Sequence, residues 1–154
     1  MDTKTIAENA LKGACKNFLK DLNALPEDAF LRNFGGVARN VADIVYEVDL
    51  VNDHIGMVMR QEEPFPWPEG GWITAPAELK TKEEVIRAFV TSSDRILATV
   101  AGFSSSDLEA PLKTDDGETN RFERCRFMTL HLWYHAGQLN FIQTMLGDAE
   151  WHWG

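Results

Sequence analysis

The chain has 154 residues, of which 44% are hydrophobic and 25% are charged, a composition typical of a globular protein. This length predicts one domain over residues 1–154, large enough to bury a core without disulfides or a structural metal. Twenty-four acidic residues outnumber 15 basic ones, and the formal net charge of −9 repels phosphate groups. We therefore expect no nucleic acid partner and no binding to a membrane surface.

The N-terminal segment and the cysteines predict a cytoplasmic protein. The segment MDTKTIAENALKGACKNF is amphipathic and lacks the apolar core of a signal peptide. No stretch approaches the roughly 20 apolar residues of a membrane span. Cys15 and Cys125 have no CxxC spacing and no sequence neighbour that would lower a thiol pKa, so we expect two free thiols that serve in packing.

Four segments repeat apolar residues with a helical period, near residues 3–22, 38–60, 81–102 and 122–146. Thr81 and Glu84 have the spacing of a capping box, and Gly147 stands where a glycine often ends a helix. The polar stretch after the third segment fits a short hairpin or an irregular loop, and strand signals are weak throughout the chain. The predicted fold class is all-α, a four-helix bundle whose long connections include at least one crossover.

The fourth helical segment places two imidazoles on an apolar stripe. At about 100° per residue, His131, His135 and Gln138 fall within roughly 60° of one another, at the centre of a stripe that also contains Phe127 and Met145. Such a stripe predicts a buried face, where unpaired imidazole nitrogens are costly. Histidines at i and i+4 can reach one ion, which predicts a metal site. The alternative is a pair of core histidines bonded to carbonyl groups.

A third ligand is expected from the second helical segment, which carries Asp43, Glu47 and His54 along one polar strip. Glu47 lies nearest the apolar stripe of that helix, and a ligand and a solvated residue are equally good interpretations of it. For Asp43 and His54 a solvated flank is favoured. The run HLWYH has no Glu after its first histidine, so it is not the helix of an HExxH metalloprotease.

Four tryptophans lie in the irregular segments rather than in the helices: Trp67, Trp72, Trp151 and Trp153. They would either wall a pocket or cap the ends of the bundle, and capping is favoured. The sequence has no phosphate loop, no dinucleotide fingerprint and no GxSxG elbow.

The string HLWYHAGQLNFIQTMLGD resembles the last helix of the DinB/YfiT-like superfamily of metal-dependent proteins, whose members carry H-x-x-x-H-x-G-Q before an apolar run. His131, His135, Gly137 and Gln138 stand in those places. The segment LPEDAF, with VARNVADIVYEVDLVNDH after it, resembles the loop and second helix of the same family. The resemblance extends from the first helix to Gly147 and implies a four-helix bundle with crossover connections, often dimeric.

In that family a histidine of the second helix supplies the third metal ligand, and the resemblance places Glu47 at its position. The implied ligand set is therefore Glu47, His131 and His135, with Gln138 able to orient a ligand or a bound water. His54 is a fallback ligand if the helix register shifts. Imidazole-rich ligation fits a divalent transition metal, zinc or nickel first, and iron because two histidines and a carboxylate also form non-heme iron sites.

The resemblance implies a metal-dependent enzyme of the hydrolase or low-molecular-weight-thiol S-transferase type, with a small-molecule substrate such as a thiol and a homodimeric assembly. The sequence assigns no general base. Two alternatives stay open: a non-catalytic, stress-response bundle that binds a metal or a small ligand, and a plain bundle with packed, neutral histidines. Family resemblance alone identifies no substrate.

Overall fold

The computed structural model of the chain describes residues 1–115 and 117–154. Its frame is four long helices, which are α1, Thr3–Ala24; α2, Val41–Met59; α3, Lys82–Ala101; and α5, Arg121–Met145. A 3-10 turn at Glu27–Ala29, the short helix α4 at Ser105–Glu109 and a hairpin of strands β1 (Pro111–Thr114) and β2 (Gly117–Asn120) lie in the connections. The predicted all-α fold and all four predicted helices are confirmed, with ends that differ by up to three residues.

Local sequence signals set the helix ends. The Thr81 hydroxyl accepts a hydrogen bond from Glu84 N–H while the Glu84 carboxylate accepts one from Thr81 N–H, which is the predicted capping box. At the other end of the chain, Gly147 has φ +89° and follows α5. The N–H groups of Gly147 and Asp148 then bond back to the carbonyls of Thr144 and Gln143, as in a Schellman motif.

The long helices form a ring in which α1 packs against α3 and α5, and α2 also packs against α3 and α5. The consecutive helices α1 and α2 are therefore diagonal, so residues 25–40 cross an end of the bundle as the long connections predicted. Phe18 of α1 and Phe89 of α3 are fully buried, with ring centroids 4.8 Å apart. This arrangement makes α2 and α5 neighbours, so the candidate metal ligands predicted on these two helices can meet.

The connection between α3 and α5 contains both α4 and the hairpin. Ser104 and Asp107 form a second capping box at the start of α4. The two strands pair antiparallel over their full length, from Pro111 opposite Asn120 to Thr114 opposite Gly117. Within the described residues this is the only sheet, and no helix there is long and apolar enough to cross a membrane.

Candidate metal centre

Three side chains from two helices meet at the α2–α5 contact. Nε2 of His131 and Nε2 of His135 are 3.0 Å apart, and each lies 3.5 Å from Oε1 of Glu47. His135 is fully buried, and the other two side chains are mostly covered. We call Glu47, His131 and His135 the metal group, because their ligand atoms lie close enough together to hold one ion.

The three distances fit a metal ion. A triangle with sides of 3.0, 3.5 and 3.5 Å has its circumcentre about 1.9 Å from each corner, so a point about 2 Å from all three atoms exists. That is the usual ligand distance of zinc in protein sites. One carboxylate oxygen and two imidazole nitrogens are also a donor set typical of transition metals rather than of calcium or magnesium.

The protonation states of the two imidazoles favour ligation. Burial lowers the pKa of His131, and burial together with the adjacent His131 lowers the pKa of His135 to about 4. Both rings are therefore neutral near neutral pH. His135 Nδ1 lies 2.8 Å from Oε1 of Gln138, which only accepts, so Nδ1 carries the proton and Nε2 keeps its lone pair toward the metal group.

Arg39, in the connection just before α2, completes the surroundings of Glu47. Its Nη1 donates a hydrogen bond to Glu47 Oε2, and its guanidinium lies over the ring of Trp72, 4.7 Å from the centroid. Burial alone would raise the pKa of the Glu47 carboxyl, but the hydrogen bond and the charge of Arg39 outweigh it and lower that pKa. Glu47 is therefore a carboxylate with Oε1 directed to the imidazoles and Oε2 held by Arg39.

The remaining candidates on α2 lie elsewhere. Asp43 is half-buried rather than solvated, and its carboxylate accepts the N–H of Ala75 at 2.7 Å, which ties α2 to the connection before α3. The His54 ring is two turns beyond Glu47 and packs edge-on against Phe65 and Trp67, so the structure does not bring it to the metal group. The helix register of α2 therefore places Glu47, and not His54, beside the two histidines.

The apolar stripe predicted for α5 was misplaced. The buried side chains of this helix centre on the direction of Leu139, and His131 lies at the edge of that face. Phe127 and Met145, which were expected in the core with the histidines, are 48% and 52% exposed. The reason is that apolar residues cover more of the α5 circumference than α1 and α2 can bury.

An apolar cleft of about 560 Å³ opens beside the metal group. Its walls are mainly aromatic and aliphatic, formed by Phe34, Ile44, Trp72, Tyr134, Phe141 and Ile142, and its polar side includes Arg39 and Gln138. Arg39 contacts Glu47, Gln138 contacts His135, and the Tyr134 ring lies 4.9 Å from the His135 ring. The cleft therefore adjoins the metal group through three of its lining residues.

The tryptophans divide between the two predicted roles. Trp72 lines the cleft, contrary to the favoured capping role. Trp153 packs on Trp133 and Trp151 at one end of the bundle, and its indole N–H donates to Asp21 at 2.7 Å. Arg39 was not predicted from the sequence, because a single arginine in an irregular connection has no periodicity that links it to Glu47.

Comparison with known proteins gives a family and a fold. The family model of the DinB superfamily matches residues 10–139. Among solved structures, a conserved protein from Enterococcus faecalis superimposes with a TM-score of 0.73 over 96% of this chain and 99% of that chain, at 12% identity. At this identity the likeness supports the fold alone. No curated protein matches the sequence significantly.

Proposed function

The chain belongs to the DinB superfamily, and from that premise we propose that it is a metal-dependent enzyme whose divalent transition metal is held by Glu47, His131 and His135. The observation that carries the proposal is the convergence of their three donor atoms, 3.0–3.5 Å from one another, between two separate helices. A catalytic metal site typically has three protein ligands and an open position. Zinc or nickel fits this donor set, and iron is the third candidate.

A bound metal would supply Lewis acidity and lower the pKa of a nucleophile such as water or a thiol. Other residues of the chain hold the proposed ligands in position. Gln138 fixes the His135 tautomer, and Arg39 holds one oxygen of Glu47 so that the other stays directed at the imidazoles. The apolar cleft would bind a small-molecule substrate and keep bulk water from it. We propose hydrolysis, or transfer of a low-molecular-weight thiol, as the reaction class.

In the transferase version the thiol would come from a second substrate. Cys15 and Cys125 are both buried in the core, and burial raises the pKa of each to about 11. A buried, protonated thiol is a poor nucleophile. Neither cysteine is part of the metal group, so neither supplies a sulfur ligand there.

A non-catalytic binding protein is the rival function, and the composition of the cleft favours it. Among the described residues that line the cleft there is no aspartate, glutamate or histidine to serve as a general base. Turnover of electrophilic substrates with low-molecular-weight thiols, or of hydrolysable esters and amides, would support the enzyme. Stoichiometric metal or ligand binding without any turnover would support the rival.

Elemental analysis of untagged protein tests the proposal. We expect about one transition metal per chain after reconstitution and desalting, and a loss of that metal in H135A and E47Q. H152A is the matched control, because His152 pairs with Asp148 and lies outside the metal group. Failure of the wild-type protein to retain zinc, nickel or iron would leave a plain bundle with packed histidines.

A further inference from the structure

The apolar cleft contains one charged side chain among its described lining residues, Arg39. This side chain is only 8% exposed, although a guanidinium is normally well solvated. Its face is covered by Trp72, and Nη1 is used by Glu47. A guanidinium buried this deeply in an apolar wall is expected to have a hydrogen-bond acceptor at each edge of its planar group.

Only some of the N–H donors of the Arg39 guanidinium are bonded within the described part of the chain. Arginine has five N–H donors, and Glu47 is the one acceptor that Arg39 meets among the described residues. The other nitrogens of Arg39 are not among the fully buried unpaired atoms there, so they reach open space, and Arg39 lines the cleft. The cleft therefore offers room for a further acceptor of this guanidinium.

Gln138 adds a second donor to the same cleft. Its side-chain oxygen is occupied by His135 Nδ1, which leaves the amide NH₂ as the free end. Within the described residues this NH₂ has no acceptor, and Gln138 also lines the cleft. A guanidinium and an amide NH₂ beside an aromatic wall are suited to an anionic oxygen group with an apolar body attached.

We propose that the cleft binds a small carboxylate with an apolar body, the carboxylate on Arg39 and Gln138 and the body against Phe34, Trp72 and Tyr134. A carboxylate fits better than a phosphate because one guanidinium, shared with Glu47, suits a planar monoanion. The inference rests on the proposed function, since Arg39 and Gln138 each touch a member of the metal group. The bound carboxylate would thus lie beside the metal.

Titration calorimetry with matched ligands tests this class of ligand. The probes are 3-phenylpropanoate, its neutral amide 3-phenylpropanamide, acetate, and phenyl phosphate. Metal-free protein is used for the decisive comparison, because a carboxylate can also bind a metal directly. We expect the wild-type protein to bind 3-phenylpropanoate roughly 10- to 100-fold more tightly than the amide, the range for a charge-assisted hydrogen bond. Acetate, which lacks the apolar body, should bind more weakly than 3-phenylpropanoate.

Variants separate the carboxylate site from the metal site. R39Q should abolish the preference for the carboxylate and R39K should keep part of it, whereas R95Q should keep all of it. Arg95 is the matched control because it also forms an ion pair, with Asp53, but does not line the cleft. E47Q should lose the metal yet keep or increase the carboxylate preference, because it removes the charge that competes for Arg39.

Equal wild-type affinities for the carboxylate and the amide would overturn the inference, and this comparison needs no variant to fold. A preference that persists in metal-free R39Q, or tighter binding of phenyl phosphate than of 3-phenylpropanoate, would also overturn it. Metal binding without carboxylate preference would refute the carboxylate site alone. Carboxylate preference in a wild-type protein that retains no metal after reconstitution would support the carboxylate site and refute the proposed function.

Discussion

His135 donates its Nδ1–H to the side-chain oxygen of Gln138, 2.8 Å away and three residues further along α5. Since an amide oxygen can only accept, this bond fixes the imidazole tautomer and leaves Nε2 as a lone pair facing His131 and Glu47. A histidine that ligates a metal normally donates its other N–H to such an acceptor. Gln138 is therefore a positioning residue for the metal group.

Replacing Gln138 should weaken metal binding without removing a ligand. We expect Q138L to lower zinc affinity by roughly 10- to 100-fold, because the His135 ring loses its tautomer and orientation. Q138E should retain most of the affinity, because its carboxylate still accepts the Nδ1–H. Competition against a chromophoric chelator measures both constants. Equal zinc affinity in Q138L and the wild-type protein would show that the bond has no role in ligation.

Regular spacing is what made part of the site predictable. His131, His135 and Gln138 occupy one helix, so a period of 3.6 residues places them together before any tertiary structure is known. For Glu47, at the edge of a stripe whose other members are buried, spacing left a ligand and a solvated residue equally good, and the family resemblance placed it at the ligand position. The capping residues Thr81 and Gly147 likewise act through local hydrogen bonds that the sequence encodes directly.

The rest of the site depends on contacts between segments far apart in the chain. Arg39 and Trp72 lie in different connections, and only the folded chain places one against the other. The misplaced stripe of α5 has a related cause: apolar periodicity shows which residues are apolar, but neighbouring helices decide which of them are covered. Phe127 and Met145 are as apolar as Met128 and Leu139, yet the first two are about half exposed whereas the other two are fully buried.

The two cysteines should be inert in the folded protein. Burial raises the pKa of Cys15 and of Cys125 to about 11, about two units above an ordinary thiol, which lowers the thiolate fraction by about 100-fold. We expect a disulfide reagent to label the native protein at least that much more slowly than the protein unfolded in guanidinium. The C15A/C125A protein should still bind metal. Rapid labelling of either native thiol, or metal loss in this variant, would contradict the separation of the thiols from the site.

Asp49 should make stability depend on pH. Burial raises the pKa of its carboxyl to about 7, and the negative charge of Asp53 adds to this effect, although Ser92 Oγ donates a hydrogen bond at 2.6 Å. The folded protein therefore holds a proton that the unfolded chain has released, in the window between pH 3.8 and about 7. The contribution of Asp49 to the free energy of unfolding consequently falls as pH rises through that window.

The D49N protein should lose this pH dependence. At neutral pH it should be more stable than the wild-type protein by roughly 2–4 kcal/mol, because no charge is buried, and the two proteins should converge near pH 4. Urea unfolding at a series of pH values measures the difference. D94N, which changes an exposed carboxylate on α3, is the control and should follow the wild-type curve. A D49N protein that is equally or less stable at neutral pH would contradict the assignment.

The exposed side of α5 should be the interface of a homodimer. Five large apolar or aromatic side chains, each more than 40% exposed, fall within roughly 60° of one another along the helix: Phe127, Leu130, Tyr134, Phe141 and Met145. A continuous apolar strip of this kind is uncommon on a monomer, and a second copy of the same helix would cover it by two-fold symmetry.

Leu130 suits a test because it lies on the strip but not in the cleft, so its replacement leaves the proposed ligand site intact. Light scattering should report a dimer for the wild-type protein and for V90D, which alters an exposed residue of α3, and a monomer for L130D. A wild-type monomer, or an L130D protein that remains dimeric, would show that this strip has no role in self-association.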